Sequence, residues 1–344
     1  MEINELKKRI TNYDGKKIRI MEVCGTHTHE IFRLGVRSVL PQNIELISGP
    51  GCPVCVTPVG FIDEAVYLAK TGKSIFTFGD LVRVPGSKES LASARQNGAK
   101  VEIVYSPLDA LQYAKNYLDE EIVFLSVGFE TTTPASLLAL KQAIADDVKN
   151  FSLLTANKTM DEAYRIMAKS ADAYLYPGHV AAITGADKLE KLKDMGISGV
   201  VAGFSAKNIL QAIYLIIEEI KRGVPFFGNA YENVVKPEGN KAANELVKIY
   251  THPIDTEWRG LGVLKNSGLA IKEEFSNFDA RKKFNIPDIK GQANPACRCG
   301  DVLSGKILPR DCPLFSKVCT PEHPIGACMV SNEGSCAAFY RYGV

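Results

Sequence analysis

Nine cysteines, the side chains of this chain best suited to bind soft metals or carry electrons, fall into two widely separated groups. Three lie near the start of the chain, six lie from residue 297 onward, and none lies between the groups. In a reducing compartment, thiols concentrated in this way indicate metal ligation or redox exchange. The nine are Cys24, Cys52, Cys55, Cys297, Cys299, Cys312, Cys319, Cys328 and Cys336.

Two short motifs contain the three front cysteines. Cys24 begins the run Cys-Gly-Thr-His-Thr-His, which includes His27, and Cys52 and Cys55 form a Cys-Pro-Val-Cys motif after a Gly-Pro-Gly turn. Thiolate and imidazole together suit iron, zinc or copper, because soft sulfur favours polarisable metals. A Cys-x-x-Cys motif at the start of a helix is also typical of a pair that cycles between dithiol and disulfide. Metal ligation and redox exchange both stay open for this pair.

The six tail cysteines have a spacing that matches neither bacterial nor plant-type ferredoxins, nor an ordinary zinc ribbon. Four thiolates hold a [4Fe-4S] cluster or a zinc ion, which leaves two cysteines over. Beside a cluster, such a pair forms an electron relay. A closed structural zinc site with two spare thiols is the alternative.

A carboxylate and an imidazole follow two other strand-like segments. Glu130 lies in Gly-Phe-Glu-Thr-Thr and His179 lies in Tyr-Pro-Gly-His-Val, so we expect both to face a cleft at strand ends. The sequence contains no Walker A loop, G-x-G-x-x-G fingerprint, H-E-x-x-H helix or G-x-S-x-G elbow. The common NTPase, dehydrogenase, zincin and hydrolase interpretations are therefore excluded.

The charge balance argues against nucleic acid as a partner. The chain has 41 basic and 39 acidic residues, a net charge of +2, without long runs of one sign. No apolar run approaches the roughly 20 residues of a membrane-spanning helix, and the start resembles no secretory leader. We therefore expect a cytoplasmic protein without a membrane or nucleic-acid partner.

The elements that must position these residues alternate between short β-branched segments and helix-length amphipathic ones, the pattern of parallel sheets covered on both faces. The front cysteine motifs follow the first two predicted strands, where ligands gather in a doubly wound sheet. The predicted strands are residues 17–23, 44–48, 74–78, 101–105, 122–127, 151–155, 171–176 and 199–202.

Eight strands exceed one five-stranded doubly wound sheet. The loops over 48–58 and 126–134 share one design of strand, glycine turn and helix. We therefore predict an α/β fold with two doubly wound parallel-sheet domains of similar design, plus a small cysteine-rich C-terminal iron-sulfur domain. A single (β/α)8 barrel is the alternative. The predicted domains are 1–118, with the iron-site motifs, 119–230 and 231–344.

Taken together, these motifs resemble the [NiFe]-hydrogenase maturation factor HypD family. The resemblance covers nearly the whole chain, and one loop departs from it: residues 202–208 place Ser205 and Asn208 where the family has acids. The segments that carry the resemblance are 21–29, 49–55, 128–132, 177–179, 258–260 and the tail that ends with 326–331.

The resemblance implies a scaffold on which the Fe(CN)2CO unit of the hydrogenase site is assembled, with the chaperone HypC docked against it and HypE as the cyanide donor. It implies Fe(II) at Cys24, with help from Cys52 or Cys55. The tail assignments that it implies are a [4Fe-4S] cluster on Cys297, Cys312, Cys319 and Cys336, and a redox pair of Cys299 and Cys328.

On this basis we expect electrons to pass from the cluster to the tail pair and then to the front pair. His27 or His179 would manage protons during cyanide transfer, and Glu130 would support the iron ligands. The main alternative is an iron-sulfur disulfide reductase of the ferredoxin:thioredoxin reductase type, in which Cys24 holds no iron. A structural zinc protein that only docks partners is the third possibility.

Overall fold

Two parallel sheets and a hairpin make up the β-structure in the computed structural model of the chain, which describes residues 1–343. The strands of these residues are β1 Ile18–Glu22, β2 Ile44–Ser48, β3 Ser74–Thr77, β4 Val101–Ile103, β5 Ile122–Ser126, β6 Phe151–Thr155, β7 Ala173–Pro177, β8 Gly199–Ala202, β9 Phe227–Asn229, β10 Thr251–Trp258 and β11 Gly262–Ile271.

The helices cover the sheets and form most of the tail. They are α1 Ile3–Thr11, α2 Gly25–Arg33, α3 Pro53–Val56, α4 Val59–Lys70, α5 Gly79–Val82, α6 Leu91–Gln96, α7 Pro107–Asn116, α8 Thr133–Ala145, α9 Asp161–Met167, α10 Gly178–Thr184, α11 Ala186–Glu190, α12 Ala206–Ile220, α13 Lys241–Tyr250, α14 Ala280–Lys283, α15 Cys299–Leu303, α16 Ala327–Val330 and α17 Ser335–Tyr342. Short 3-10 turns cover Val36–Val39, Lys193–Met195, Glu273–Phe278 and Pro309–Asp311. Among residues 1–343, no helix has the length and apolarity needed to cross a membrane.

Both sheets use one strand order. The first sheet runs β2-β1-β7-β8-β9, and the second runs β4-β3-β5-β6. All pairs within them are parallel. In each sheet the chain first adds a strand on one side and then returns to add strands on the other, as in doubly wound folds. The α/β class and the two parallel sheets of similar design are confirmed, and the two open sheets do not form a single (β/α)8 barrel.

The strand pairing does not follow the expected division at residue 118. Strand β3 pairs with β5 across that position, with Ser74 opposite Ile122. The first sheet joins β1 and β2 to β7, β8 and β9, so the second sheet is inserted between two parts of the first. Sheet membership depends on pairing between distant strands, which local sequence patterns do not reveal.

All eight predicted strands form, each with both ends within two residues of the expected positions. Three further strands, β9, β10 and β11, lie where glycine, proline and asparagine hide the hydrophobic period. The hairpin β10–β11 is antiparallel, and its register shifts between Ile254 and Thr256. Such an irregularity breaks the alternation by which a strand is recognised in a sequence.

The largest apolar cluster lies between the two sheets and includes residues of the tail. Met21 of the first sheet, Val123 of the second and Trp258 of the hairpin contribute to it, together with Leu303 and Cys328. Two outer clusters pack helices against the other face of each sheet. The buried side chains of the tail thus join the central cluster instead of forming a core of their own, which is why the expected third domain has no separate apolar unit.

Candidate thiol-rich functional site

The carboxyl ends of β1 and β7 are neighbours at the point where the strand order of the first sheet reverses. Ligands of doubly wound sheets bind in the crevice at this point. Cys24 comes directly before α2, which follows β1, and His179 lies in the first turn of α10, which follows β7. The fold therefore brings these two predicted residues to the place where a ligand is expected.

Cys24 caps the amino end of α2 with its thiol almost buried, 8% exposed. Burial raises the pKa of this thiol to about 12, and the nearby backbone N–H groups of His27 and Thr26 oppose that rise. The thiol therefore keeps its proton near neutral pH. If a metal replaced this proton, the N–H groups of the first turn of α2 would favour the thiolate form.

The glycine turn after β2 packs directly against the backbone of Cys24. The Gly25 N–H donates to the carbonyl of Gly51 at 3.0 Å, and the Gly49 N–H donates to the carbonyl of Glu22 at 2.8 Å. A Cβ atom on Gly51 would lie 2.2 Å from the Cys24 nitrogen. Only glycine fits this close approach, so the turn fixes Cys24 beside the start of the Cys-Pro-Val-Cys motif.

The tail covers the other side of Cys24 through Glu333. Thr26 Oγ1 donates to Glu333 Oε1 at 2.7 Å, and a Cβ atom on Gly25 would lie 2.4 Å from the Glu333 Cβ. The Glu333 carboxylate adds to the rise in the pKa of the Cys24 thiol. The sequence gives no signal for this carboxylate, because it lies outside the motifs.

His27 is buried on α2 and is held by backbone carbonyls. Its Nε2–H donates to the carbonyls of Ala202 at 3.2 Å and Gly203 at 3.0 Å. Because carbonyls only accept, Nε2 carries the hydrogen, and Nδ1 is a buried acceptor without a hydrogen-bond partner among residues 1–343. Burial lowers the pKa of His27 to about 4. The imidazole is therefore neutral at pH 7 with one open acceptor nitrogen.

Phe204 contacts both predicted histidines. Its ring stacks on His27 with centroids 4.7 Å apart and on His179 with centroids 3.8 Å apart. Phe204 lies in the loop of residues 202–208, which differs from the family pattern. This loop has a structural role, because Ser205 caps α12 and its hydroxyl accepts from the Asn208 N–H at 3.2 Å. A role for Phe204 cannot be predicted from the sequence, because the stacking of a loop residue on side chains of two separate helices leaves no local pattern.

Glu130 occupies the corresponding switch point of the second sheet, after β5. Its Oε1 accepts from the Met160 N–H at 2.9 Å, while Oε2 is buried without a partner in the described chain. Burial raises the pKa of Glu130, and Lys188 opposes that rise. The buried hydroxyl of Tyr164 lies close enough for both Glu130 and Cys24 to raise its pKa. Glu130 and Cys24 therefore both lie within electrostatic range of the Tyr164 hydroxyl.

The front cysteine pair lies on α3. Cys52 caps this helix, and its sulfur accepts from the Cys55 N–H at 3.2 Å. Burial raises the pKa of the Cys55 thiol, and the neighbouring thiols of Cys328 and Cys52 raise it further. Cys55 thus interacts with its own motif partner and with a cysteine of the tail. The front and tail groups, separated in the sequence, meet at Cys55 and Cys328.

The six tail cysteines surround one small cavity. Within the tail, Cys299 interacts with Cys297, and Cys328 interacts with Cys336. The interaction with Cys299 lowers the pKa of Cys297 to about 7, and the interaction with Cys336 lowers the pKa of Cys328. All nine cysteines of the chain are free thiols. The lining of the cavity is completed by the residues Val302, Cys312, Leu314, Phe315, Cys319, Gly326 and Met329.

The predicted front metal site does not close around one point. In residues 1–343, no three His, Cys, Asp or Glu side chains are grouped so that they could hold a metal ion. The front thiols do not converge, because Cys24 interacts with the first turn of α2 while Cys55 interacts with Cys328. Around the tail cavity, thiols with apolar neighbours are the donor set that iron-sulfur clusters use. The tail residues therefore fit such a group in ligand type, although no three of them are grouped around one point in the described chain.

Comparison with known proteins agrees with the arrangement of these motifs. The family model described as "HypD: Hydrogenase formation hypA family" matches residues 1–343. The chain belongs to the HypD family. It is 41% identical to the hydrogenase maturation factor HypD of Escherichia coli K12 over 350 residues, which covers 99% of this chain and 94% of that relative.

Other HypD relatives match over similar lengths. The HypD of Azotobacter vinelandii is 41% identical over 95% of this chain and 90% of the relative. The HypD of Rhodobacter capsulatus is 40% identical over 99% of this chain and 94% of the relative. All three relatives are named as hydrogenase maturation factors, so this member of the HypD family belongs with proteins of hydrogenase maturation.

Proposed function

We propose that this HypD family member is a cytoplasmic scaffold on which the Fe(CN)2CO unit of the [NiFe] centre is assembled, with HypC docked against it and HypE as the cyanide donor. The observation that supports this proposal most strongly is the interaction of the Cys55 and Cys328 thiols. It connects the loops around Cys24, where cargo iron would bind, with the tail cysteines that would supply electrons.

Cys24 is the proposed anchor of the cargo Fe(II). Binding of iron displaces the thiol proton, and the N–H groups of Thr26 and His27 stabilise the thiolate that results. A single strong thiolate leaves other iron positions free for cyanide and carbon monoxide. Cys52 or Cys55 would add a second thiolate once the front pair is reduced.

His27 is the proposed proton acceptor near the iron. Its pKa of about 4 makes His27 a weak base, so a proton that the open Nδ1 takes up is passed on readily. His179, on the other side of Phe204, is the second candidate. The buried carboxyl of Glu130 keeps its proton more readily than an exposed one, because burial raises its pKa. It can therefore donate a hydrogen bond toward this region.

The tail would hold the electron supply. A [4Fe-4S] cluster on Cys297, Cys312, Cys319 and Cys336 would supply electrons one at a time when bound. The family resemblance assigns those four cysteines to the cluster, and Cys299 and Cys328 are then the two remaining thiols of the tail. Both of them line the same cavity as the four proposed ligands.

Thiol–disulfide exchange can carry two electrons from the tail to the front pair. The Cys328 thiolate attacks the Cys55 sulfur of a Cys52–Cys55 disulfide, and Cys52 leaves as a thiolate. The Cys299 thiolate then attacks Cys328, which forms the Cys299–Cys328 disulfide and releases Cys55. One disulfide forms as the other breaks, and the two protons of the tail pair pass to the front pair.

An iron-sulfur disulfide reductase is the alternative that uses the same relay. In a reductase, the disulfide of a partner protein must reach an attacking thiol. Cys55 is fully buried and Cys52 is 3% exposed, so the front pair is closed to a protein disulfide. This burial favours a substrate inside the protein, as the scaffold requires.

Anaerobic purification of the chain with HypC and HypE tests the proposal. Infrared bands in the cyanide and carbonyl region, together with iron and acid-labile sulfide, are expected for the scaffold. A disulfide reductase would contain iron and sulfide but would show no such bands. A structural zinc protein would be colourless and would contain zinc without iron.

A further inference from the structure

Arg259 is a buried cation in the central cluster region, 6% exposed. Its Nε–H donates to the carbonyl of Thr57 at 2.7 Å, while Nη2 is buried and has no hydrogen-bond partner in the chain up to residue 343. Burial lowers the pKa of Arg259, and the neighbouring groups that oppose this effect are thiols, with Cys299 and Cys328 first. A buried guanidinium without a carboxylate needs another anion nearby.

A cavity of about 490 Å³ begins at this arginine. Arg259 is the single charged residue of its lining, which also includes the polar side chains of Ser87, Gln292 and Asn294. This volume is typical of sites for small molecules. A fixed guanidinium binds carboxylates through charge-assisted hydrogen bonds, and Nη1 is the nitrogen of Arg259 that is neither bonded to Thr57 nor buried without a partner. The cavity therefore has the size and the charge for a small carboxylate.

Cys299 connects this outer cavity with the inner one. It lines the cavity of Arg259 and also the small cavity that Cys328 and the other tail cysteines surround. Cys328 in turn interacts with Cys55. Because Cys299 and Cys328 line the same inner cavity and Cys328 also neighbours Cys55, the thiols of the relay from the outer cavity inward are Cys299, Cys328 and Cys55. Cys297 lines both cavities as well, and Cys299 is the first thiol of the relay that a small molecule can reach.

We propose that the cavity at Arg259 binds a small thiol that carries a carboxylate, and that this thiol reduces a Cys299–Cys328 disulfide as a second source of electrons beside the cluster. The reductant role rests on the proposed relay, whereas binding of the anion at Arg259 does not. Arg259 acts as a positioning residue, since it holds the carboxylate while the sulfur chemistry occurs at Cys299.

The reaction balances as ordinary exchange. The thiolate of the small molecule attacks the Cys299 sulfur, which forms a mixed disulfide and releases Cys328 as a thiolate. A second molecule of the thiol attacks the sulfur of the first, leaves as the small disulfide and releases Cys299. Two small thiols are oxidised, the protein disulfide gains two electrons, and the two thiol protons end on Cys299 and Cys328.

Alkylation of the anaerobically purified full chain tests the binding site. Iodoacetate and iodoacetamide differ mainly in charge. The rate of iodoacetate at Cys299 is divided by the rate of iodoacetamide, first in the folded chain and then in the chain unfolded by urea. The folded ratio divided by the unfolded ratio reports the attraction of an anion to the cavity. We expect this quotient to be about tenfold above one. Arg259→Met should return it to about one, and Arg259→Lys should keep part of it.

Asn294→Asp provides a second variant that does not disturb the buried arginine. Asn294 is exposed, and its Oδ1 accepts from the Ala296 N–H at 3.0 Å, a bond that aspartate can keep. The added negative charge in the cavity should lower the iodoacetate rate at Cys299 by about threefold and leave the iodoacetamide rate unchanged. Equal quotients in the wild type, Arg259→Met and Asn294→Asp proteins would overturn the anion site.

Reduction of the oxidised chain by 3-mercaptopropionate and 2-mercaptoethanol tests the reductant role. After correction for their rates with a small model disulfide, we expect the anionic thiol to reduce the Cys299–Cys328 disulfide faster, and Arg259→Met to remove this preference. No preference in the wild type would overturn the reductant role. Failure of the scaffold proposal would appear as missing cyanide bands, a readout that neither thiol affects.

Discussion

The Cys55 thiol interacts directly with the Cys328 thiol, although the two residues come from opposite parts of the chain. Cys55 belongs to α3 and Cys328 to α16, and both are buried in the central apolar cluster. The exposed fraction is 0% for Cys55 and 1% for Cys328. Such burial shields both sulfurs from solvent oxidants and from thiols of other proteins, so their available exchange partners are the neighbouring thiols of this chain.

A trapped disulfide tests this contact. In a chain with Cys52→Ser, Cys299→Ser and Cys336→Ser, mild oxidation should join Cys55 to Cys328, because each has lost its other neighbouring thiols. Peptide mass spectrometry under non-reducing conditions identifies the cross-link. Additional substitution of Cys55→Ser should abolish every link between the front and tail cysteines. A dominant link from Cys328 to Cys24 would show that the order of contacts is wrong.

Gly51→Ala tests the close approach of the glycine turn to Cys24. The added methyl group would lie 2.2 Å from the Cys24 nitrogen, and backbone atoms on both sides must move. We expect the free energy of unfolding to fall by about 1–3 kcal/mol, measured by urea denaturation. Gly79→Ala is the matched control, since its methyl meets only Ile103 Cγ2 at 3.7 Å. Equal losses in the two variants would contradict the packing described for the turn.

The burial of His27 predicts that the free energy of unfolding depends on pH. Burial lowers its pKa to about 4 from 6.5, so between these values the unfolded chain binds a proton that the folded chain does not. The contribution of His27 to the free energy of unfolding is complete above pH 6.5. As the pH falls toward 4 this contribution is lost, which lowers the free energy of unfolding by up to about 3 kcal/mol.

The measurement is urea unfolding across this pH range. His27→Gln keeps a side-chain N–H donor but removes the titration, so the loss between pH 6.5 and 4 should become smaller. His29→Gln is the control on the same helix, because His29 packs against Tyr342 at the helix surface. A pH profile that His27→Gln leaves unchanged would refute a buried neutral His27.

Glu333→Gln should make Cys24 more reactive. The Glu333 carboxylate contributes to the raised pKa of the Cys24 thiol, and glutamine keeps an oxygen that accepts from Thr26 Oγ1. We expect alkylation of Cys24 by iodoacetamide at pH 8 to become about two to five times faster. Glu322→Gln, which changes an exposed carboxylate of the tail, should have no effect. A rate at Cys24 that does not respond to Glu333→Gln would show that the tail carboxylate does not act on this thiol.

The sequence predicts the parts of this fold that depend on local patterns. The eight strands and the placement of Cys24 and His179 after β1 and β7 follow from hydrophobic period and from the position of ligands in doubly wound sheets. The repeated design of the two sheets also follows from two similar loops. Each of these features can be recognised within a short segment of the sequence or by comparing two similar segments.

Contacts between distant segments could not be predicted in this way. Phe204 stacks on two histidines, Glu333 reaches Thr26, and Arg259 lies among the tail thiols. Each of these contacts joins segments that only the tertiary fold brings together, and none leaves a spacing or a period in the sequence. The insertion of the second sheet into the first was hidden for the same reason.

The central claim is that cargo iron with its diatomic ligands is assembled at Cys24. The most direct measurement is the anaerobic infrared spectrum of the Cys24→Ala protein, purified with HypC and HypE beside the wild type and a His29→Gln control. The account predicts cyanide and carbonyl bands in the wild type and the control, and no bands in Cys24→Ala protein that retains the iron and sulfide of its cluster. Bands of wild-type intensity in Cys24→Ala protein that still binds HypC would contradict it.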